Sequence, residues 1–225
     1  LGIKFEGKPG LLNSITDVPG LEVGMVTLIS GDGELISDSG PVRTGVTAIL
    51  PVGKSDTQHA IPAGIYSLNG NGEMTGSHWI NETGGLSGPI MITNTHAVGT
   101  VHRGVIEWVK QNFPEAAMEW LLPVVAETWD GYLNDINGAH ITTEHTISAI
   151  NSATGGLVSE GSHGGGTGMN CYGFKGGNGT ASRSVPFGGK DYVVGVFVQA
   201  NFGDRKELRI QGIDMSDLDV PNPMD

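Results

Sequence analysis

Apolar residues along the chain fall into short runs bounded by glycine and proline. Four of these runs are rich in β-branched residues and predict strands at 21–29, 44–52, 88–95 and 191–201. The last run, DYVVGVFVQAN, is almost continuously apolar, which is typical of a strand buried on both faces. A further short strand is predicted just before Glu127.

Helical spacing appears between the third and fourth of these strands. Valines and Trp108 recur at intervals of three and four residues, and Pro114 stops the run, so an amphipathic helix is predicted over about 97–112.

A second helix is predicted at 142–153, with Thr142 or Thr143 as N-cap and with Ile147 and Ile150 facing inward. Strands thus alternate with a few helices. No internal repeat or clear linker interrupts residues 1–225, which indicates a single domain of mixed α and β structure.

The amino-acid composition argues against several classes of function. The chain holds 24 acidic and 12 basic residues, for a net charge of -12, which argues against sequence-independent nucleic-acid binding. No apolar run approaches the length that would span a bilayer, so no membrane partner is expected. Cys171 is the sole cysteine, which excludes an internal disulfide and a cysteine-based zinc site. Periplasm and cytoplasm both remain open as compartments.

Glycine is abundant, with 37 of 225 residues, and is densest in SHGGGTGMNCYGFKGGNGTAS at 162–182. A phosphate-binding loop would need Lys at Phe174, and a dinucleotide fingerprint would need glycine at Cys171 or Ser182. Neither motif fits, so these glycines are interpreted as sites of tight turns and close packing.

Metal and serine-nucleophile motifs fail as well. HITTEH at 140–145 has one residue too many for its two histidines to share an ion on a helix, and GLSGP at 85–89 is not a nucleophile elbow. The sequence therefore predicts no metal, no cofactor and no nucleophile within this chain.

Polar residues follow two of the apolar runs. VVAETWDGYLNDING at 124–138 places Glu127, Trp129 and Asp130 after a short strand, and Asn201 ends the run VFVQAN. An Asn at such a place can donate to a developing oxyanion, or it can be a turn residue that bonds its own backbone. For Glu127 the alternative is a solvated loop carboxylate.

Longer strings carry a resemblance to a known family. The chain, from about residue 12 to 210, resembles the L-aminopeptidase/D-esterases of the DmpA type and their relatives, the β-peptidyl aminopeptidases. The strings that carry it are ITDVPGLEVG (15–24), GVTAILP (45–51), LNGNGEMTGSHWINETGGLSGPIMITNTHAVG (68–99), ETWDGYLNDINGAH (127–140), EGSHGGGTGMNCYGFKGGNGTASR (160–183) and VQANFG (198–203).

The resemblance implies an α+β fold, an αββα four-layer sandwich similar to N-terminal-nucleophile hydrolases and ornithine acetyltransferases. It also implies a precursor that cuts itself before a Ser, giving α and β chains that assemble into oligomers of αβ units. This chain resembles the α part, with 213–225 as a surface tail leading to the junction. The nucleophile is then expected on the β chain.

The same resemblance implies roles for three residues. Asn201 maps onto an oxyanion-hole Asn, and Glu127 maps onto an acidic residue beside the free amine of a peptide or amide substrate. Members that cleave ordinary L-peptides have Tyr near Trp129, so Trp129 favours removal of N-terminal β-amino acids.

Three alternatives stay open. They are a general L-aminopeptidase/D-amidase-esterase, an acyltransferase of the ornithine acetyltransferase type with a Thr nucleophile, and a non-catalytic subunit that keeps the fold.

Overall fold

A computed structural model describes residue 3, residues 5–217 and residues 219–222. The longer strands are β1 (Glu22–Ser30), β2 (Val42–Leu50), β5 (Ile90–Asn94), β6 (Val124–Thr128), β9 (Gly177–Phe187) and β10 (Lys190–Ala200). Short two-residue strands are β3 (Ile61–Pro62), β4 (Gly85–Leu86), β7 (Asn170–Cys171), β8 (Phe174–Lys175), β11 (Arg209–Ile210) and β12 (Ile213–Asp214). The helices are α1 (Gly53–Asp56), α2 (Ser77–Thr83), α3 (Val98–Asn112) and α4 (Thr143–Asn151).

A four-stranded sheet with the order β1-β2-β5-β6 forms the centre. Its first two pairings are antiparallel and β5 pairs with β6 in parallel. The chain passes through α3 between these parallel strands, as a parallel connection requires. Both strands therefore end at the same edge of the sheet, after Asn94 and after Thr128.

One face of this sheet packs against α3 and α4. The shared core contains Val46, Leu50, Met91, Val101, Val105, Trp108, Val125, Ala149 and Ile150. The Trp108 indole also donates to the side chain of Asn151 at 2.8 Å and so joins the two helices. Thr142 is the N-cap of α4, and the predictions of both helices are confirmed, although α4 ends at Asn151 rather than 153.

The other face of the sheet packs against the hairpin of β9 and β10. Phe197 of β10 joins a second core with Ile15, Leu21, Val23 and Ile49. The described residues thus form a helical layer, a sheet and a second β layer, and the expected α+β class is confirmed.

The prediction that the run at 191–201 is buried on both faces is wrong. It forms β10 as predicted, but its outward-facing side chains are exposed by 44–52%: Tyr192, Val194, Val196 and Val198. No described residue covers this outer face, so apolar composition identified the strand but not the extent of its burial.

The glycine-rich stretch packs closely against the sheet. A Cβ on Gly165 would lie 2.6 Å from the Gln199 side chain, and one on Gly166 would lie 2.7 Å from the backbone of Asn178. The interpretation of these glycines as close-packing residues is confirmed. The strand β9 within the stretch was not predicted.

The segment from 213 onward begins with β12, which pairs with β11. The carbonyl of Val220 accepts a hydrogen bond from the Arg205 guanidinium at 3.2 Å. Residues 218 and 223–225 of the predicted tail lie outside the described residues.

Candidate active site

The structure brings Trp129 and Asn201 into direct contact at the carboxyl end of β6. The Trp129 amide donates to Asn201 Oδ1 at 3.1 Å, and Asn201 Nδ2 donates to the Trp129 carbonyl at 3.1 Å. Asn201 directly follows β10, so this pairing joins the end of the hairpin to the end of the central sheet.

The Asn201 amide has a third partner. Its Nδ2 also donates to the Asn170 carbonyl at 3.3 Å. Asn201 is therefore bonded to the backbone of two distant segments and not to its own backbone. Because a carboxamide has two N–H hydrogens, both donors are engaged.

Glu127 lies inside β6 and not in a loop after it. It is partly buried, and Oε1 accepts a hydrogen bond from the Glu73 amide at 3.2 Å, while Oε2 accepts one from the Thr95 hydroxyl. Thr95 comes directly after β5, so the two parallel strands deliver the carboxylate and its donor to the same sheet edge. Within the described part of the chain, no Lys, Arg or His forms an ion pair with Glu127.

Trp129 presents its indole at the surface of this edge. The residue is 48% exposed, and a Cβ on Gly131 would lie 2.7 Å from its ring. The glycine at 131 therefore lets the turn after β6 pass beneath the ring, which leaves an apolar face beside Glu127 and Asn201.

Asp130 has a buried carboxyl group. The sequence shows it among the polar residues that follow the short strand but predicts no role for it. Burial raises its pKa to about 6, in spite of the hydrogen bond that Oδ1 accepts from Asn134 at 3.0 Å. Asn134 in turn accepts from the amide of Arg43. Asp130 and Asn134 thus fix the turn that follows Trp129 to the start of β2.

Some buried polar atoms near the same edge have no hydrogen-bond partner among the described residues. They are Asn170 Nδ2, Asn178 Oδ1 and Gln199 Oε1. Asn178 and Gln199 face each other across β9 and β10, and Gln199 is two residues from Asn201. An unsatisfied buried polar atom costs about 1–3 kcal/mol, so this edge favours a polar partner from outside the described residues.

An apolar cleft lies at the other end of β6. It has a volume of about 260 Å³ and is bounded by Trp79, Leu86, Phe113, Trp120 and Leu122. None of the three predicted site residues lines it. The predicted site is therefore defined by hydrogen bonding and not by this cleft.

Neither a metal site nor a membrane-spanning helix is found in the described ranges. No group of three or more His, Cys, Asp or Glu side chains is arranged to hold a metal ion there. None of the helices there combines the length and the apolar character that a membrane crossing requires.

Comparison with known proteins identifies relatives over almost the whole chain. The model of peptidase family S58 matches residues 13–222. A protein named beta-peptidyl aminopeptidase BapA from Sphingosinicella microcystinivorans is 56% identical over 213 residues, covering 94% of this chain and 53% of the relative. The chain therefore spans about half the length of this curated relative.

Two solved structures share the fold. The L-aminopeptidase D-Ala-esterase/amidase of Ochrobactrum anthropi, described as a variant of the Ntn hydrolase fold, has a TM-score of 0.93 and 45% identity over 99% of this chain and 62% of that one. A β-aminopeptidase from a Burkholderia species has a TM-score of 0.89 and 44% identity, with the same two coverages of 99% and 62%. The predicted similarity to N-terminal-nucleophile hydrolases is confirmed.

Proposed function

The chain belongs to peptidase family S58, and from that premise we propose that it is the α part of a self-cleaved serine aminopeptidase that removes N-terminal β-amino acids from peptides and amides. The observation that carries the proposal is the position of Glu127. Its carboxylate shares one sheet edge with the Trp129–Asn201 pair and has no cationic partner among the described residues.

Glu127 is proposed to bind the free amine of the substrate. A cationic amine that leaves water needs an anionic partner, and the two hydrogen bonds from Glu73 and Thr95 hold the carboxylate in place. An N-terminal ammonium is then the feature that the enzyme recognises.

The nucleophile is proposed to be the hydroxyl of a Ser at the start of a β chain made from the same precursor. Its own α-amino group, with a pKa of about 8, takes the hydroxyl proton as the oxygen attacks the substrate carbonyl. Collapse of the tetrahedral intermediate passes that proton to the leaving amine and gives an acyl-enzyme, which water hydrolyses.

Asn201 is proposed to donate to the oxyanion of that intermediate. Its Nδ2 is engaged with two carbonyls, and the bond to Asn170 is the longer at 3.3 Å. Exchange of this bond for one to the oxyanion keeps the bond to Trp129, which holds the amide in orientation. Removal of one preorganised donor of this kind typically lowers kcat by a factor of about 10²–10³.

The β chain is proposed to cover the outer face of β10 and to assemble with this chain into oligomers of αβ units. The exposed side chains from Tyr192 to Val198 supply an apolar surface for it. The unpartnered polar atoms of Asn170 and Gln199 favour contacts from the same polypeptide near the site.

Trp129 is proposed to favour β-amino acids. Its indole offers an N–H donor and a flat apolar face where the members that cleave L-peptides have a Tyr hydroxyl. The alternative, a general L-aminopeptidase and D-amidase-esterase, is favoured by the name of the Ochrobactrum relative at 45% identity.

The test is an assay of the complete enzyme with matched anilides. Faster release of p-nitroaniline from β-alanyl-p-nitroanilide than from L-alanyl-p-nitroanilide supports the proposal, and the reverse order supports the general aminopeptidase. N-terminal sequencing of any copurifying polypeptide identifies the nucleophile: Ser supports the hydrolase and Thr an acyltransferase. If no second polypeptide with either residue is present and neither anilide is cleaved, the chain is a non-catalytic subunit.

A further inference from the structure

A second cavity opens beside the glycine-rich stretch. It has a volume of about 370 Å³. Its apolar wall is formed by Ile29, Pro41 and Leu133. Its polar lining consists of Asp32, Arg43, Ser162, Thr167 and Lys175. The lining holds two cationic side chains and one carboxylate, so the cavity has a positive balance in a chain with a net charge of -12.

The two cations differ in how their charge is balanced. Arg43 forms an ion pair with Asp32 at 3.0 Å and donates to the carbonyls of Ser30 and Gly31. Its guanidinium therefore holds the loop after β1, and its charge has a counterion.

Lys175 has no such counterion among the described residues. Its Nζ donates to the carbonyls of Gly166 at 3.3 Å and Gly176 at 2.9 Å, and no carboxylate there forms an ion pair with it. The side chain as a whole is exposed, but partial burial of the ammonium group lowers the pKa of Lys175. The third N–H remains for an anion at the cavity.

The position of Lys175 connects the cavity with the proposed active site. Lys175 pairs with Asn170 across β7 and β8, and the Asn170 carbonyl accepts the hydrogen bond from Asn201. One strand pairing and one hydrogen bond thus separate the free cation from the proposed oxyanion donor. The segment that carries Lys175 is therefore a direct neighbour of the segment that holds the Asn201 carboxamide.

We propose that this cavity binds the free C-terminal carboxylate of short peptide substrates, with Lys175 Nζ as the charged donor and the exposed Ser162 hydroxyl as a second donor. This inference rests on the proposed aminopeptidase function and extends it to the far end of the substrate. It makes the enzyme selective for short peptides with a free acid over the corresponding amides.

The test compares two substrates that differ only in that group, β-alanyl-L-alanine and β-alanyl-L-alaninamide. In the complete enzyme, Lys175→Met should raise KM for the acid about tenfold and leave KM for the amide within about twofold. The reason is that a hydrogen bond between two charged groups contributes more binding free energy than one between neutral groups. Lys175→Arg keeps the charge, so the ratio of KM for the acid to KM for the amide should stay close to that of the unaltered enzyme.

Lys54→Met is the matched control. Lys54 also donates to backbone carbonyls, those of Asn151 and Ala153, but its charge is paired with Glu22 at 3.4 Å. It should leave the acid-to-amide ratio unchanged. The ratio is measured on one sample, so partial loss of folded enzyme does not move it.

An equal rise of KM for both peptides, or no rise for either, would overturn the carboxylate site. Calorimetric dissociation constants of the two peptides give a second readout. If the unaltered enzyme hydrolyses neither peptide, the proposed function fails. The effect of Lys175→Met on the ratio of the two dissociation constants then still shows whether the cavity binds the carboxylate.

Discussion

The backbone of Trp129 and the carboxamide of Asn201 exchange two hydrogen bonds of 3.1 Å each. The two residues are 72 positions apart in sequence. This pairing mimics the contact between two neighbouring strands and fixes both the position and the orientation of the Asn201 amide. The side chain that we assign to the oxyanion is thus held by main-chain groups.

Asn201→Ala should lower kcat at least tenfold with a modest change in KM, because it removes a donor that acts mainly in the transition state. Steady-state kinetics on β-alanyl-p-nitroanilide measure the effect. Asn112→Ala is the control, since Asn112 makes a similar bond to the Trp108 carbonyl in α3. An unchanged kcat for Asn201→Ala would contradict the oxyanion role.

Glu127→Gln should raise KM most for substrates with a free amine, since it removes the charge and keeps the shape of the side chain. The comparison is between a β-alanyl ester and its N-acetylated form. Glu160→Gln, which alters a carboxylate bonded to the Thr180 amide, should affect neither substrate. Equal changes on the blocked and free esters would count against the amine-binding role.

Trp129→Tyr should shift specificity towards α-amino acids, because it supplies the phenolic hydroxyl that the family resemblance implies for members that cleave L-peptides. We expect the ratio of kcat/KM for L-alanyl over β-alanyl p-nitroanilide to rise several-fold. Trp120→Tyr is the control, since Trp120 is 65% exposed at the cleft on the other end of β6. A ratio that both variants leave unaltered would show that Trp129 does not set the preference.

Asp130→Asn should change how stability depends on pH. The pKa of Asp130 is raised by burial from 3.8 to about 6, so the folded state holds the proton more tightly than the unfolded state. The stabilisation from the protonated form is present below pH about 4 and is lost as pH rises to about 6, on the order of 3 kcal/mol in total.

Because Asn cannot ionise, the stability of Asp130→Asn relative to the unaltered enzyme should increase between pH 4 and 6 and then level off. Urea unfolding across pH 4–8 measures the difference. Asp135→Asn is the control in the same turn: its carboxylate is paired with His140 at 2.9 Å, so its replacement should destabilise the enzyme. Parallel curves for Asp130→Asn and the unaltered enzyme would refute the buried-charge account.

Gly168→Ala should destabilise the fold by about 2–3 kcal/mol. The added Cβ would lie 2.2 Å from the Arg43 carbonyl and 2.7 Å from the Asp130 Cβ, and neither neighbour can move freely. Gly179→Ala in the same glycine-rich stretch meets no heavy atom within 4 Å and should change stability little. Thermal unfolding compares the two, and similar melting temperatures would contradict the packing role.

The local sequence pattern predicted those strands and helices whose residue types favour the structure that they adopt. The runs that form β1, β2, β5 and β10 are rich in β-branched residues, and α3 has regular apolar spacing. Strand β9 escaped prediction because GNGTASRSVPF combines glycine, serine and proline, and its extended form depends on pairing with β10.

The candidate site was predictable in part. Their positions after apolar runs singled out Glu127, Trp129 and Asn201, and the resemblance supplied their roles. No spacing rule could predict that Asn201 bonds the backbone of Trp129 and Asn170. Contacts between distant segments depend on how the layers pack. For the same reason, the continuous apolar run of β10 could not reveal that its outer face is uncovered among the described residues.

That uncovered face has a thermodynamic consequence for the site. A two-stranded ribbon is marginally stable in water, and β10 is supported by the central sheet on one side only. Asn201 stands at the end of this ribbon, so any molecule that binds its outer face and restrains it also restrains the carboxamide. Binding at the outer face and ordering of the site are then linked equilibria, and each must favour the other by the same free energy.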